Sequence, residues 1–323
     1  MTRHGAVATA LILAALAAAP GSPAAAESLT VAIPQKGNWD TDVVDFGVKQ
    51  GWFKQAGLDV RTIYTQGGAA TPQAVISGSV DLGMGTGLLG IVGAYVKGAP
   101  LRVISAEMTG AADLYWYARA QSGIRTLKDA AGKTFAYSEA GSSTNLVLLA
   151  LLDHARIKAR PVSTGGIPGT FTQVMSGQID VGWAVPPFGI KDVEDGRIVI
   201  VAHGNDVPAI RGETVRVNIV NSATLQKRRA VIAKFMQIYV KTVDWMYRDP
   251  KAIDDFAEAT GMPRAMADKA RREFFPREGM QPYEVKGLDL VLQQALQFKY
   301  IPHAMTPKDV AGLFDMMAKP EAQ

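Results

Sequence analysis

The stretch Ala74-Val-Ile-Ser-Gly-Ser-Val-Asp-Leu-Gly83 returns 99 residues later as Gln173-Val-Met-Ser-Gly-Gln-Ile-Asp-Val-Gly182. Each copy reads as the apolar end of a helix, a Ser-Gly stop, one residue, and then apolar-Asp-apolar-Gly. Gly78 and Gly177 suit the left-handed position just past a helix, where a side chain is strained. The apolar run that follows at once suits a buried strand. One helix-to-strand unit used twice predicts two lobes, each a sheet flanked by helices.

The pattern continues on both sides of these copies. Residues 29–33 form a short apolar strand stopped by Pro34, and 41–54 suit a helix with Val44, Val48 and Trp52 on one face. Strands follow at 57–64, 80–84 and 101–106, with helices after the Gly67-Gly68 loop and at 88–96. A second round places strands at 114–120, 133–137, 179–183 and 197–202, and helices at 127–131, 146–154 and 171–177. Residues 214–220 alternate and read as a strand returning to the first lobe. After Asn221 the pattern is helical only. Val231, Phe235, Ile238, Thr242 and Trp245 share a face, and Asp249-Pro250 and Thr306-Pro307-Lys-Asp309 each pair a cap with a first-turn proline. Strands alternating with helices in this way predict an α/β fold with parallel sheets.

Composition excludes several function classes. At 323 residues, with 48% hydrophobic and 20% charged, the chain is neither disordered, fibrous nor a multi-span membrane protein. It has no cysteine, which removes disulfides, thiolate metal sites, cysteine nucleophiles, iron–sulfur chemistry and a lipoprotein anchor. The net charge is only +4 and no run of five basic residues occurs, so nucleic acid is not an expected partner. Residues 1–26 read as an export signal. Arg3 precedes an apolar run at 6–19, Pro20, Gly21 and Pro23 break it, and Ala24-Ala25-Ala26 offers a cleavage site before Glu27. The run is too short for the ~20 residues that span a bilayer. An exported mature chain from Glu27 is expected, in the periplasm and without a lipid anchor.

Four segments in order carry a family resemblance: Gln50-Gly-Trp-Phe-Lys-Gln-Ala-Gly-Leu-Asp-Val60, Gly78-Ser-Val-Asp-Leu-Gly83, Gly123-Ile-Arg-Thr-Leu-Lys-Asp-Ala-Ala-Gly-Lys-Thr134 and Gly177-Gln-Ile-Asp-Val-Gly-Trp183. They resemble the periplasmic solute-binding proteins of ABC importers for nitrate, taurine and alkanesulfonates, a group that includes binders of thiamine-pyrimidine precursors. The resemblance implies the two-lobed periplasmic-binding-protein fold (type II). Lobe 1 would comprise 27–115 and 217–323, with the C-terminal helices, and lobe 2 would comprise 116–216. It implies a monomer that takes no cofactor or metal, captures a small organic anion such as a sulfonate or carboxylate, and delivers it to a permease and its ATPase. A planar heterocycle as ligand, a sensory role, and an enzyme on the same fold stand as alternatives. Enzymes related to the thiamine-pyrimidine synthase use a cysteine-rich stretch, which this chain lacks.

Ligands of doubly wound lobes sit beyond the carboxyl ends of strands, near helix N-termini. Candidate positions are therefore Gln35, Trp39 and Asp40 after the first strand, Gly68, Thr86 in the turn 85–87, and Gly141, Ser142, Ser143 and Thr144 before a helix. The resemblance also assigns ligand contact to Gly141, Ser142 and Ser143, while one hydroxyl there is expected to cap the helix. Trp39 reads as a wall of the site or as packing within its own lobe, and Asp40 as a partner for a ligand cation or a helix cap. Trp183 opens an aromatic stretch. In the family an acid often precedes its Pro-Phe pair; Pro186 stands there instead, which makes a cationic ligand the less expected one. Arg216 could neutralise an anion across the cleft.

Gly85-Thr-Gly-Leu-Leu-Gly90, with Glu107 beyond it, matches the form of a dinucleotide fingerprint. It follows a third strand rather than a first, and the turn is one the family also has. No phosphate-loop or nucleophile-elbow motif occurs, and His154, His203 and His303 lack metal-ligand spacing. No catalytic residue is expected.

Overall fold

The computed structural model describes residues 26–65, 67 and 69–319. The expected export segment lies outside the described residues except for Ala26. Two five-stranded sheets are present, each flanked by helices.

The first sheet has the order β2-β1-β3-β10-β4, built from β1 (Glu27–Ile33), β2 (Leu58–Tyr64), β3 (Leu82–Gly87), β4 (Leu101–Thr109) and β10 (Thr214–Asn221). The second has the order β7-β6-β8-β5-β9, from β5 (Tyr115–Arg119), β6 (Thr134–Tyr137), β7 (Arg160–Ser163), β8 (Val181–Ala184) and β9 (Ile198–His203). The orders correspond strand for strand. β1 runs parallel to β2 and β3, as β6 does to β7 and β8, and an antiparallel strand follows in each case.

The sequence repeat explains this match. Helix α3 (Ala70–Ile76) leads to β3 and α6 (Ile167–Ser176) to β8. Gly78 and Gly177 take φ of 73° and 85° at the exits. The repeated aspartates do the same work: Asp81 accepts the Thr30 amide at 2.8 Å, and Asp180 accepts the Thr134 amide at 2.8 Å, each tying a strand start. The repeated glycines make room for the helices, since a Cβ on Gly83 would lie 2.9 Å from Val75 Cγ2 and one on Gly182 2.7 Å from Val174 Cγ2. Paired threonines extend the repeat, with Thr65–Thr71 at 2.7 Å and Thr164–Thr170 at 2.6 Å.

The remaining first-sheet helices are α1 (Val43–Lys49), α2 (Trp52–Gln55) and α4 (Leu88–Val96). The helix expected over 41–54 is broken at Gly51 (φ 73°), so Trp52 starts a new helix and Val48 faces solvent. Around the second sheet lie α5 (Ser143–Ala155) and α7 (Ile190–Glu194). The C-terminal region is helical: α8 (Ser222–Arg248), α9 (Lys251–Thr260), α10 (Arg264–Phe274), α11 (Leu288–Gln297) and α12 (Pro307–Leu313), the last with a Thr306–Asp309 capping box. No helix among the described residues is long and apolar enough to cross a membrane.

The chain changes sheet twice, between β4 and β5 at 110–114 and between β9 and β10 at 204–213. The lobe boundaries expected after 115 and 216 fall inside strands instead. Tyr115 is already paired in the second sheet, and Arg216 is paired between β3 and β4 of the first. The crossings bond to one another, with the Ala111 amide donating to Asn205 Oδ1 at 2.8 Å and the Gly204 amide to the Leu114 carbonyl at 2.8 Å.

Candidate functional site

The carboxyl ends of β1, β3, β6 and β8 converge where the two lobes meet. A cavity of about 50 Å³ lies there, lined from the first lobe by Gln35, Asn38 and Asp40, and from the second by Ser143 and Trp183. Asp113 of the crossing and Arg216 of β10 complete its polar wall. It sits beside an open vestibule of about 730 Å³, which shares Pro34, Gln35 and Asn38 and adds Lys36, Ile167, Phe188 and Met262. A cavity of the smaller size holds a head group and no more; the vestibule holds the body of a larger molecule.

Arg216 organises the chamber. β10 buries it, and three carboxylates surround it: Asp113 at 2.8 Å, Glu107 at 3.0 Å and Asp40 at 3.1 Å. Its Nη1 reaches across to Ser143 Oγ at 3.4 Å. Burial alone would lower the guanidinium pKa, but Asp113, Asp40 and Glu107 hold it above its ordinary value. Burial pushes Asp113 up to about 6 against the pull of Arg216, and pushes Glu107 well above the usual carboxylate range. Arg216 is thus in the site as expected, but its charge is met by the protein's own acids.

Among the described residues, Asp113 Oδ1 and Trp183 Nε1 are buried in the chamber without a hydrogen-bond partner, while Asp40 shares a hydrogen bond with Glu107. Buried polar atoms are nearly always paired, so these groups make the chamber the candidate site.

Ser142 caps α5, its Oγ accepting the Asn145 amide at 3.1 Å, and Thr144 is tied to Ser138 at 2.9 Å. These hydroxyls hold the loop, leaving Ser143 Oγ facing Arg216 and the first-turn amides of α5 at the cavity. Gly141 contributes to lobe contact rather than to the lining. Its carbonyl accepts the Gly90 amide at 3.0 Å, and Cβ atoms on Gly87 or Gly90 would stand 2.5 and 2.7 Å from that oxygen. Gly87 and Gly90 of the dinucleotide-like run are therefore part of the surface on which the lobes meet, and Glu107 serves Arg216. Glu139 adds a further cross-lobe bond, its Oε2 accepting the Ala69 amide at 2.6 Å.

Two expected residues lie elsewhere. Trp39 is fully buried within the first lobe, edge-on to Phe46, Tyr247 and Phe256 at 6.0, 5.9 and 5.2 Å, so it is core and not a wall of the site. Its indole is covered by Tyr247 of α8 and Phe256 of α9, both more than 200 residues along the chain. Thr86 turns away from the cavity and donates to the Val217 carbonyl at 2.8 Å; Gly85 and Gly87 on either side line the chamber. Gly68 lies outside the described residues, next to the lining residue Gly67. The sequence reading missed Asn38 and Asp113. An acid inside the apolar run from Ala111 to Tyr117 is the signal that could have exposed Asp113.

The sequence profile of the family described as NMT1/THI5 like matches residues 46–253. The chain belongs to the NMT1/THI5-like family. No curated protein sequence matches this family member. Solved structures share its fold. The alkanesulfonate-binding protein SsuA from Xanthomonas axonopodis pv. citri, bound to MOPS, aligns with a TM-score of 0.74 at 18% identity, covering 91% of this chain and 100% of that one. A Candida albicans gene product described as having the generic periplasmic binding protein fold aligns at 0.70 and 12% identity, covering 92% and 98%. The periplasmic nitrate-binding protein NrtA from Synechocystis PCC 6803 aligns at 0.69 and 9% identity, covering 89% and 85%. At these identities the likeness shows that this NMT1/THI5-like chain has the periplasmic-binding-protein fold.

Proposed function

We propose that this chain is the extracytoplasmic, non-catalytic solute-binding component of an ABC importer. It captures a small organic solute bearing a sulfonate or carboxylate between its lobes and passes it to a membrane permease and its ATPase. The observation that carries this reading is a chamber walled by both lobes in which Ser143, Arg216 and the unpartnered Trp183 N–H converge. The oxyanion would sit at the first-turn amides of α5, beside Ser143 Oγ, Arg216 Nη1 and the Trp183 N–H. The solute's body would extend into the vestibule towards Phe188.

Segments 110–114 and 204–213 would form the hinge, and closure would follow from contacts that exist only when both lobes grip the ligand. The sulfonate- and nitrate-binding neighbours support an oxyanion, and the expected export segment supports a periplasmic location. The test is a thermal-shift screen of sulfonates, carboxylates and planar heterocycles. A true ligand at one hundred times its Kd stabilises the chain by ~2.7 kcal/mol. Absence of any shift at millimolar concentration across all three classes would sink the reading.

A further inference from the structure

The first lobe grips one short loop of the second at its start, its centre and its end. That loop, 138–145, carries Ser142 and Ser143. At its start, Glu139 Oε2 accepts the amides of Ala69 and Ala70 at 2.6 and 3.3 Å. At its centre, the Gly141 carbonyl accepts the Gly90 amide at 3.0 Å. At its end, Asn145 Oδ1 accepts the Tyr300 hydroxyl. Asn145 passes that last contact inward: the same oxygen accepts the Gly141 amide at 3.2 Å, and its own amide donates to Ser142 Oγ at 3.1 Å. Tyr300 is itself fixed to the first lobe. Its amide donates to the Ala295 carbonyl of α11 at 2.7 Å, and its carbonyl oxygen lies 3.1 Å from where a Cβ on Gly93 of α4 would stand. The approach is close throughout, since a Cβ on Gly67 would lie 3.2 Å from Glu139 Cδ and one on Gly141 2.8 Å from Gly90 Cα. Every one of these bonds joins protein to protein, so together they favour the joined lobes before any solute arrives.

We infer that Glu139 and Tyr300 are positioning residues that latch the loop 138–145 onto the first lobe, so that a share of the chain is closed without ligand and Ser143 already faces Arg216. The latch stands without the importer reading; its effect on solute release rests on that reading. A bound solute leaves only after the lobes part, so the latch slows release, while entry through the open form gains nothing from it.

The first arm of the test uses the ligand-free full chain, as wild type and as the double variant Glu139→Ala with Tyr300→Phe. Small-angle scattering should give the double variant the larger radius of gyration. Hydrogen exchange at the Ala69, Ala70 and Gly90 amides should be about tenfold faster or more in the variant, while exchange in the core strands β1 and β10 stays unchanged. Unchanged core exchange also confirms that the variant is folded. Equal radii together with equal exchange at those three amides overturn the latch, whatever any solute does. The second arm is stopped-flow binding of propanesulfonate. The off-rate should rise about tenfold in the double variant, and less in Tyr300→Phe alone, with an on-rate no slower than that of the wild type. An off-rate equal to the wild type's overturns the latch as a control on release. A latch seen in the first arm, with no binding of propanesulfonate or of any compound in the wider screen, overturns the importer reading alone.

Discussion

Removal of Arg216 should be costly, because the acids packed around it, Asp40 and Asp113 foremost, would be left buried without a counter-charge. Arg216→Ala should destabilise the chain by ~3–5 kcal/mol in chemical denaturation, the usual penalty for breaking a buried ion pair from one side. Glu107→Gln should behave oppositely: burial pushes the Glu107 carboxyl well above the usual carboxylate range, so at pH 7 replacing it by a neutral amide should stay within ~1 kcal/mol. A cost as large as that of Arg216→Ala would show that Glu107 is ionised. Asp42 makes a separate pH prediction. Burial pushes its carboxyl from 3.8 up to about 7, and its Oδ1 accepts the Gly37 amide at 2.9 Å. The folded chain therefore holds a proton that the unfolded chain releases near 3.8. The stability this supplies is complete below that value and lost as pH rises through about 7. Asp42→Asn keeps the acceptor without the charge, so its advantage over the wild type should grow by roughly 1.4 kcal/mol per pH unit between 5 and 7 and then level off. Thermal melts across that range check it. None of this was legible in the sequence. Asp40, Glu107, Asp113 and Arg216 are far apart in the chain and meet only because β10 is inserted between β3 and β4.

Elements were more legible, because their signals are local. Apolar-Asp-apolar-Gly after Ser-Gly encodes helix stop, strand start and the tie between neighbouring strands within ten residues, and both copies fold that way. The 41–54 helix failed for an equally local reason: Gly51 takes a positive φ that a continuous helix cannot contain. Trp39 failed for a non-local one, since the helices that bury it come from the far end of the chain. The repeated aspartates allow a direct comparison of the two units. Asp81→Ala and Asp180→Ala should each cost ~1–2 kcal/mol, the first by removing the bond to Thr30 and the ion pair with Arg228, the second the bonds to Thr134. Burial opposes ionisation of Asp180, yet the Thr134 N–H and O–H hold its carboxyl below the usual range. Its contribution is thus present above the ordinary value near 3.8 and lost as pH falls through the lowered one. The wild-type advantage over Asp180→Ala should accordingly be constant from pH 8 to 5 and shrink below about 4. An advantage that instead grew on acidification would contradict this account.

At the scale of the molecule, folding each lobe and bringing the lobes together are separable events, and the glycines of β3 and α4 allow them to be separated experimentally. Gly90 lies inside α4, where alanine is the better helix former by ~1 kcal/mol. A Cβ there would nevertheless stand 2.7 Å from the Gly141 carbonyl oxygen and 3.1 Å from Gly141 Cα, and these backbone atoms cannot turn aside as a side chain would. Gly90→Ala should therefore fold with unchanged or slightly raised stability in the absence of ligand, while the bond from its amide to Gly141 is lost and the lobes are held apart. Small-angle scattering should show a larger radius of gyration than the wild type under saturating ligand. Calorimetry should show binding weakened at least tenfold, because the first-turn amides of α5 and Ser143 no longer reach a solute held by the first lobe. If the variant instead closes and binds like the wild type, the Gly90–Gly141 contact is not the surface on which the lobes meet. If it loses stability without ligand, closure and folding are a single event in this chain, and the chamber is a preformed cavity rather than one assembled by lobe movement.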